Sequence, residues 1–286
     1  MNLRAQYSLY MHEQNVEGSG KATSCVRAMD LLGPILAKSK SEFSDCAAIW
    51  SITSTGRVAS LHKYILEQQK LAEKGIFKGE EPISYWRDGW CSAALKNYKE
   101  FLILRQYKDG LWQLYNEPKI DPAELGKRLA RKKIPSIEEL APEHDMDFST
   151  KEGKEVLRQT KARVNQDFFR DMILFDYGAQ CCVTGLNIPG VLRASHIVAW
   201  KDDKGNRLNP ANGLCLSATY DAAFDRHLIS FDEKYRMIFS PKLKEYYTNE
   251  AFKTQFLGFK GKRISFPMRF RPDQAFLEKH RKKLSA

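Results

Sequence analysis

At Asp176 the hydrophobic period of this 286-residue chain changes. Before it, apolar residues recur at helical spacing. The run 25–32 predicts a helix that opens after Ser24 as N-cap and breaks at Gly33-Pro34. Val58, Leu61, Ile65 and Leu66 predict a second helix running to Leu71, with Gly75 as its stop. From Ser84 onward, Trp86, Trp90, Ala94, Tyr98 and Phe101 make one apolar stripe, with Lys96, Lys99 and Glu100 off it. A stripe that keeps helical period is a core face rather than a base-stacking surface. Val164, Phe168 and Met172, with Phe169 and Ile173 beside them, mark a further helix packed on the residues C-terminal to it. Beyond Asp176 the pattern is short strands, turns and one brief helix. The fold class is therefore α+β, a helical domain followed by a mixed one.

The length suits two domains. We expect a helical domain over 1–118, a linker over 119–160 and a second domain over 161–286. The linker reading rests on prolines at 122, 135 and 142, the basic run 127–133 and the acidic stretch 138–147. With 43% hydrophobic and 12% aromatic residues the chain can bury real cores. It contains no apolar run long enough for a transmembrane helix, and its first residues show no signal-like apolar stretch. A cytoplasmic protein without a membrane partner is the expectation. Six scattered cysteines without a C-x-x-C pair read as free thiols, and structural zinc is not expected. The formal charge of +11 favours a polyanionic partner. Part of it is local, with eight Lys/Arg against two Asp/Glu in residues 261–286.

The chemistry concentrates in residues 181–231. Leu192 to Ile197 reads as one strand with His196 near its end, and residues 200–211 as a polar loop. Residues 213–216 read as a second short strand, after which Ser217 or Thr219 caps a helix carrying Asp221 and Asp225. Residues at i and i+4 share a helix face, so these two carboxylates can point at one hard cation. A strand-borne imidazole placed opposite can take a proton from water while the cation neutralises charge on a phosphate. Each piece alone also has an ordinary structural account.

Four motifs in order carry a resemblance: Cys181-x-x-Thr184-Gly185, Ser195-His196-Ile197, Asn212-Gly213-Leu214 and Phe224-Asp225. The C-terminal half resembles the HNH endonucleases of the ββα-metal (His-Me finger) type, from about Arg163 to Ile229 and more loosely through Phe266-Pro267 and residues 276–280. The N-terminal half, notably Ser84-Tyr85-Trp86 and residues 91–95, resembles the helical segment fused to such nucleases in bacterial restriction enzymes. It is also distantly similar to the core-binding domain of tyrosine recombinases. The resemblance implies an all-helical domain joined to a ββα-metal nuclease domain. It makes His196 the general base and Asn212 the residue that bonds across the loop to hold its orientation. Asp221 and Asp225 take the metal-ligand positions, and Cys181 with Thr184-Gly185 shapes the turn into the first strand.

Arg193, Lys201 and Arg207 flank these residues as candidate phosphate or DNA contacts. Three positions depart from the family pattern: Ser195 where Asp or His is common, Tyr220 where His is common, and His227 where glycine is common. With two carboxylates as protein ligands, Mg²⁺ suits the site best, with Mn²⁺ or Ni²⁺ as substitutes. The expected function is a metal-dependent DNA endonuclease serving restriction or anti-phage defence, as a homodimer if both strands are cut. The alternative is a catalytically degenerate HNH fold that binds DNA without cutting it. A redox or zinc protein built on Cys181, Cys182 and Cys215 is the third reading.

Overall fold

The computed structural model describes residues 2–71, 74–132 and 151–284. Its described residues divide into two compact units, the first built on those of 2–107 with 151–155 and the second on 108–132 and 156–284. The helical part expected to end at residue 118 therefore gives up its last residues to the second unit.

The first unit is helical. Helix α1 spans Leu3–Gln14, α2 Lys21–Lys38, α3 Thr55–Leu71 and α4 Ser84–Arg87. Helix α5, Trp90–Tyr115, starts in this unit and runs into the second. The break expected at Gly33-Pro34 does not occur, and α2 continues through Pro34. Burial outweighs the missing N–H, because Met29, Leu32, Ile35 and Leu36 are all buried on either side of the proline. Gly33 is needed where it stands, since a Cβ there would lie 2.7 Å from the Ala47 carbonyl oxygen. The N-cap position of α2 is Gly20 rather than Ser24. Leu66 is 40% exposed and His62 is buried in its place, while Lys99, expected off the apolar stripe, is buried. Tyr7, Trp50, Tyr98 and Phe101 form the aromatic centre, and the Tyr7 hydroxyl donates to the Ala94 carbonyl at 3.0 Å.

In the second unit, helix α6 spans Pro122–Arg131, and helix α7, Lys151–Asp176, belongs to it from residue 156 on. Both fall partly in the stretch expected as a linker; residues 133–150 of that stretch, with its acidic run, lie outside the described residues. Helix α6 forms because Asp121 caps it, accepting from the Ala123 and Glu124 amides, and because Pro122 stands in the first turn. It buries Leu125, Gly126 and Leu129 on one face. Helix α7 buries Phe168, Phe169, Met172 and Ile173. Its end is tied down by Asp176, whose carboxylate accepts from the amides of Arg269 (3.0 Å) and Phe270 (3.2 Å).

After α7 come β1 (Leu192–His196), β2 (Gly213–Ser217) and α8 (Ala218–Asp225). β1 and β2 pair antiparallel with His196 opposite Gly213, and α8 packs on both. This is a ββα unit. Ser217 occupies the N-cap position of α8 without making a side-chain cap bond. Gly213 leaves room for α7, since a Cβ there would come within 2.9 Å of Phe169 Cζ. A second hairpin, β3 (Ile229–Phe231) with β4 (Met237–Phe239), follows, then α9 (Glu250–Gln255) and α10 (Gln274–Arg281). The single brief helix expected beyond Asp176 is thus joined by two more. No described helix is long and apolar enough to cross a membrane. All six cysteines are free and buried.

Helix α6 presses on the loop between β1 and β2. A Cβ at Gly126 would lie 2.9 Å from Cα and 3.1 Å from N of Asn209, backbone that cannot swing aside. Gly126→Val is expected to cost about 2 kcal/mol of stability through overpacking. Gly190→Ala, into open space, should stay within about 0.5 kcal/mol, both read by urea unfolding.

Candidate active site

His196 ends β1 with its ring stacked on Phe169, centroids 3.8 Å apart, and edge-on to Trp200 at 5.4 Å. Its Nε2 donates to the Arg207 carbonyl at 2.9 Å. That bond fixes the neutral tautomer, with the proton on Nε2 and the lone pair on Nδ1. Burial lowers the imidazole pKa below its ordinary value, and the Arg207 charge acts in the same direction against the raising effect of the carbonyl bond.

The Arg207 carbonyl is held by the loop, and the loop by three asparagines. Asn212, fully buried, accepts from the Val198 amide through Oδ1 (2.8 Å). Its Nδ2 donates to the carbonyls of Val198 (3.1 Å) and Asn206 (3.2 Å). Asn209 Nδ2 donates to Asn206 Oδ1 at 2.9 Å, and Asn209 Oδ1 accepts from the Ala211 amide. Asn212 therefore touches the backbone at Val198 and at Asn206, immediately before Arg207, rather than the imidazole itself.

His196, Asp221 and Asp225 line one cavity of about 410 Å³, with Ser195, Arg193, Trp200 and the α7 residues Gln166, Phe169 and Arg170 around them. The Ser195 hydroxyl donates to Asp221 Oδ1. Burial at the cavity wall raises the Asp225 pKa, the Asp221 charge raises it further, and Arg226 opposes both.

The flanking cations separate. Arg193 lines the cavity and donates to the carbonyls of Leu192 (3.0 Å) and Gly190 (3.3 Å). Arg207 instead bonds the Trp200 carbonyl at 2.7 Å and lies over the Trp200 ring, so its side chain shapes the loop. Lys201 is exposed and does not line the cavity. Arg170, which no sequence motif singles out, lines the cavity and donates to the Leu192 carbonyl at 2.8 Å. Gln166, Phe169 and Arg170 stand at i, i+3 and i+4 of α7, a spacing that marks one face. That signal is present in the sequence but is masked by the apolar run around Phe169.

Tyr220 and His227 point elsewhere. Tyr220 is buried, donates to the Gln255 carbonyl and meets the rings of Phe256 and Phe259. His227 has φ +53°, the left-handed conformation that suits glycine. Its Nδ1 faces His280 Nε2 at 3.0 Å, and His280 stacks on Phe224 with Nδ1 on the Ser230 hydroxyl.

Residues 181–232 match the HNH endonuclease family, so the chain carries an HNH endonuclease domain at the ββα unit. No curated protein matches the chain.

HNH nucleases generally use a divalent metal. Two carboxylates one helical turn apart, repelling each other at one cavity wall, are a donor set that fits a hard cation. No cluster of three or more His, Cys, Asp or Glu poised for a metal exists among the described residues, so water and substrate oxygens would complete the shell.

By NMR titration His196 should protonate below 6.5, and Trp200→Ala, which admits water to the ring, should move it back up. Burial, first, and His227 beside it depress the His280 pKa from 6.5 to about 4. The unfolded chain therefore takes up a proton between pH 6.5 and 4 that the folded chain refuses. Stability present above pH 6.5 is lost across that window, by about 3 kcal/mol. Urea unfolding at pH 7 and pH 4 should show this loss, reduced in His280→Phe.

Proposed function

We propose that the chain is a metal-dependent endonuclease that hydrolyses DNA phosphodiester bonds with His196 as general base. The observation that carries this is the convergence of a tautomer-fixed imidazole and two adjacent carboxylates on one cavity. Nδ1 of His196 takes the proton of a water that attacks phosphorus, and the bond from phosphorus to the leaving sugar oxygen breaks. Asp221 and Asp225 would hold the divalent cation, Mg²⁺ best and Mn²⁺ or Ni²⁺ in its place. When bound, the cation supplies neutralisation of charge on the phosphate and the leaving oxygen. Ser195 orients Asp221 by its hydrogen bond, leaving the other carboxylate oxygen for this task. Arg170 and Arg193, at the cavity wall, are placed to hold phosphate oxygens. Asn212 is a positioning residue, acting on His196 through the loop that presents the Arg207 carbonyl. We assign the enzyme to restriction or anti-phage defence, with the N-terminal unit directing it to its target or pairing two copies. The resemblance of that unit to helical segments of restriction enzymes supports this.

His196→Ala is expected to lower plasmid cleavage in Mg²⁺ or Mn²⁺ at least about a hundredfold while the protein stays folded. Asp221→Asn and Asp225→Asn should do the same, and chelator should abolish cleavage by the native chain. Because the imidazole pKa is depressed, the base stays unprotonated to below pH 6.5, so the acid limb of the rate profile should lie below that value. Undiminished cleavage by folded His196→Ala would remove the residue from the mechanism. The second reading, a DNA-binding module without activity, is favoured by Ser195 at a position where a metal ligand is common. Salt-dependent binding with no cleavage of plain or base-modified DNA decides for it.

A further inference from the structure

The charge of this chain is not where the family match is. Residues 181–232 carry five Lys/Arg against five Asp/Glu, whereas residues 233–286 carry fourteen against five, nine of the chain's surplus of eleven. An electrically neutral catalytic segment has little long-range attraction for a polyanion. We infer that the arm after the HNH match supplies it, with Lys260, Lys262, Arg263 and Arg271 as a surface for the backbone of duplex DNA. This rests on the nuclease reading above and extends it to how the substrate is held.

Three observations define the surface. First, the four cations are exposed, and none is in an ion pair among the described residues. Four of the arm's five carboxylates are engaged by other groups: Glu233 by Arg281, Glu250 by Lys253 and Glu278 by Lys282, while Asp273 caps α10.

Second, aromatic rings hold the charged heads in place. Lys260 lies 4.9 Å from the Tyr247 ring centroid, Lys262 lies 5.3 Å from that of Phe259, and Arg263 and Arg271 both lie 4.5 Å from that of Phe266. A cation set on a ring keeps its outward donors at reduced entropic cost on binding.

Third, the backbone beneath them is fixed to the nuclease fold. The Met237 amide donates to the Lys262 carbonyl, Ile264 to Tyr235, and Ser265 to Cys182, at 2.8–3.1 Å. Phe259, under Lys262, also meets Tyr220, the residue before Asp221 on α8. The surface is thus coupled by direct contacts to the helix that carries both cavity carboxylates.

The test uses the full chain with His196→Ala, in chelator, and follows binding of a short random-sequence DNA duplex by fluorescence anisotropy over a range of salt. Each phosphate contact contributes about 0.9 to the slope of log affinity against log salt. Lys260→Gln with Lys262→Gln, and Arg263→Gln with Arg271→Gln, should each flatten the slope by about two. All four together should weaken binding at least about tenfold at low salt. Removing four exposed cations of the helical unit (Lys63, Lys70, Lys74 and Lys78, each to Gln) should change affinity no more than about threefold. Thermal melts confirm that each variant is folded, and the two pairs are read separately if the quadruple variant is not.

Unchanged affinity and slope in the arm variants overturn the proposal. So does an equal loss in the helical-unit variant, or tighter binding of an RNA duplex of the same length. Plasmid cleavage by the native chain with unchanged binding in the arm variants sinks the surface alone. Arm-dependent binding by a native chain that never cuts sinks the nuclease reading alone.

Discussion

The buried amide of Asn212 is the contact on which the site depends. Its three hydrogen bonds tie the backbone just after β1, at Val198, to Asn206 in the middle of the polar loop, so the chain on either end of that span is pinned next to Arg207. A fully buried amide with both ends satisfied is stable only when all its partners are present, which gives the loop one conformation rather than several. The Arg207 carbonyl then has a fixed address, and it is that carbonyl which decides where the imidazole proton sits. The tautomer of one ring is thereby set by a side chain that never touches it.

Around this loop the cavity balances opposite electrostatic demands. The aromatic walls from Phe169 and Trp200 keep the imidazole neutral, while the two α8 carboxylates crowd negative charge on the other side. Arg170 and Arg193 converge on the Leu192 carbonyl, which keeps both guanidiniums at the wall instead of letting them neutralise the aspartates outright. No ion pair to Asp221 or Asp225 is found among the described residues, which keeps their charge available to a cation.

What the sequence disclosed was whatever repeats locally or spans a short gap. The ββα order, the positions of His196, Asn212, Asp221 and Asp225 on it, and the helical nature of the first part were legible because each rests on spacing within a few dozen residues. Distant contacts were not. Helix α6 looked like a basic linker because its charged face dominates its composition, and only the packing of Gly126 on Asn209 shows what the other face is for. Pro34 looked like a helix end because propensity is local, whereas the buried neighbours that carry α2 past it belong to the tertiary core. Arg207 looked like a phosphate ligand, yet its guanidinium turns back onto Trp200. The odd residue at 227 made sense only once its backbone conformation was known.

The way α6 leans on Asn209 bears on how this nuclease would be cut out and reused. A fragment trimmed to the family boundaries, or begun at α7, would leave bare the side of the loop that faces α6, along with the aromatic contacts that Trp112 and Tyr115 give to Phe168 and Phe270. A fragment begun near Lys108 keeps both sets of contacts, so an effector built by fusing this domain to a foreign targeting module would carry the end of α5 and the whole of α6 as part of the cargo.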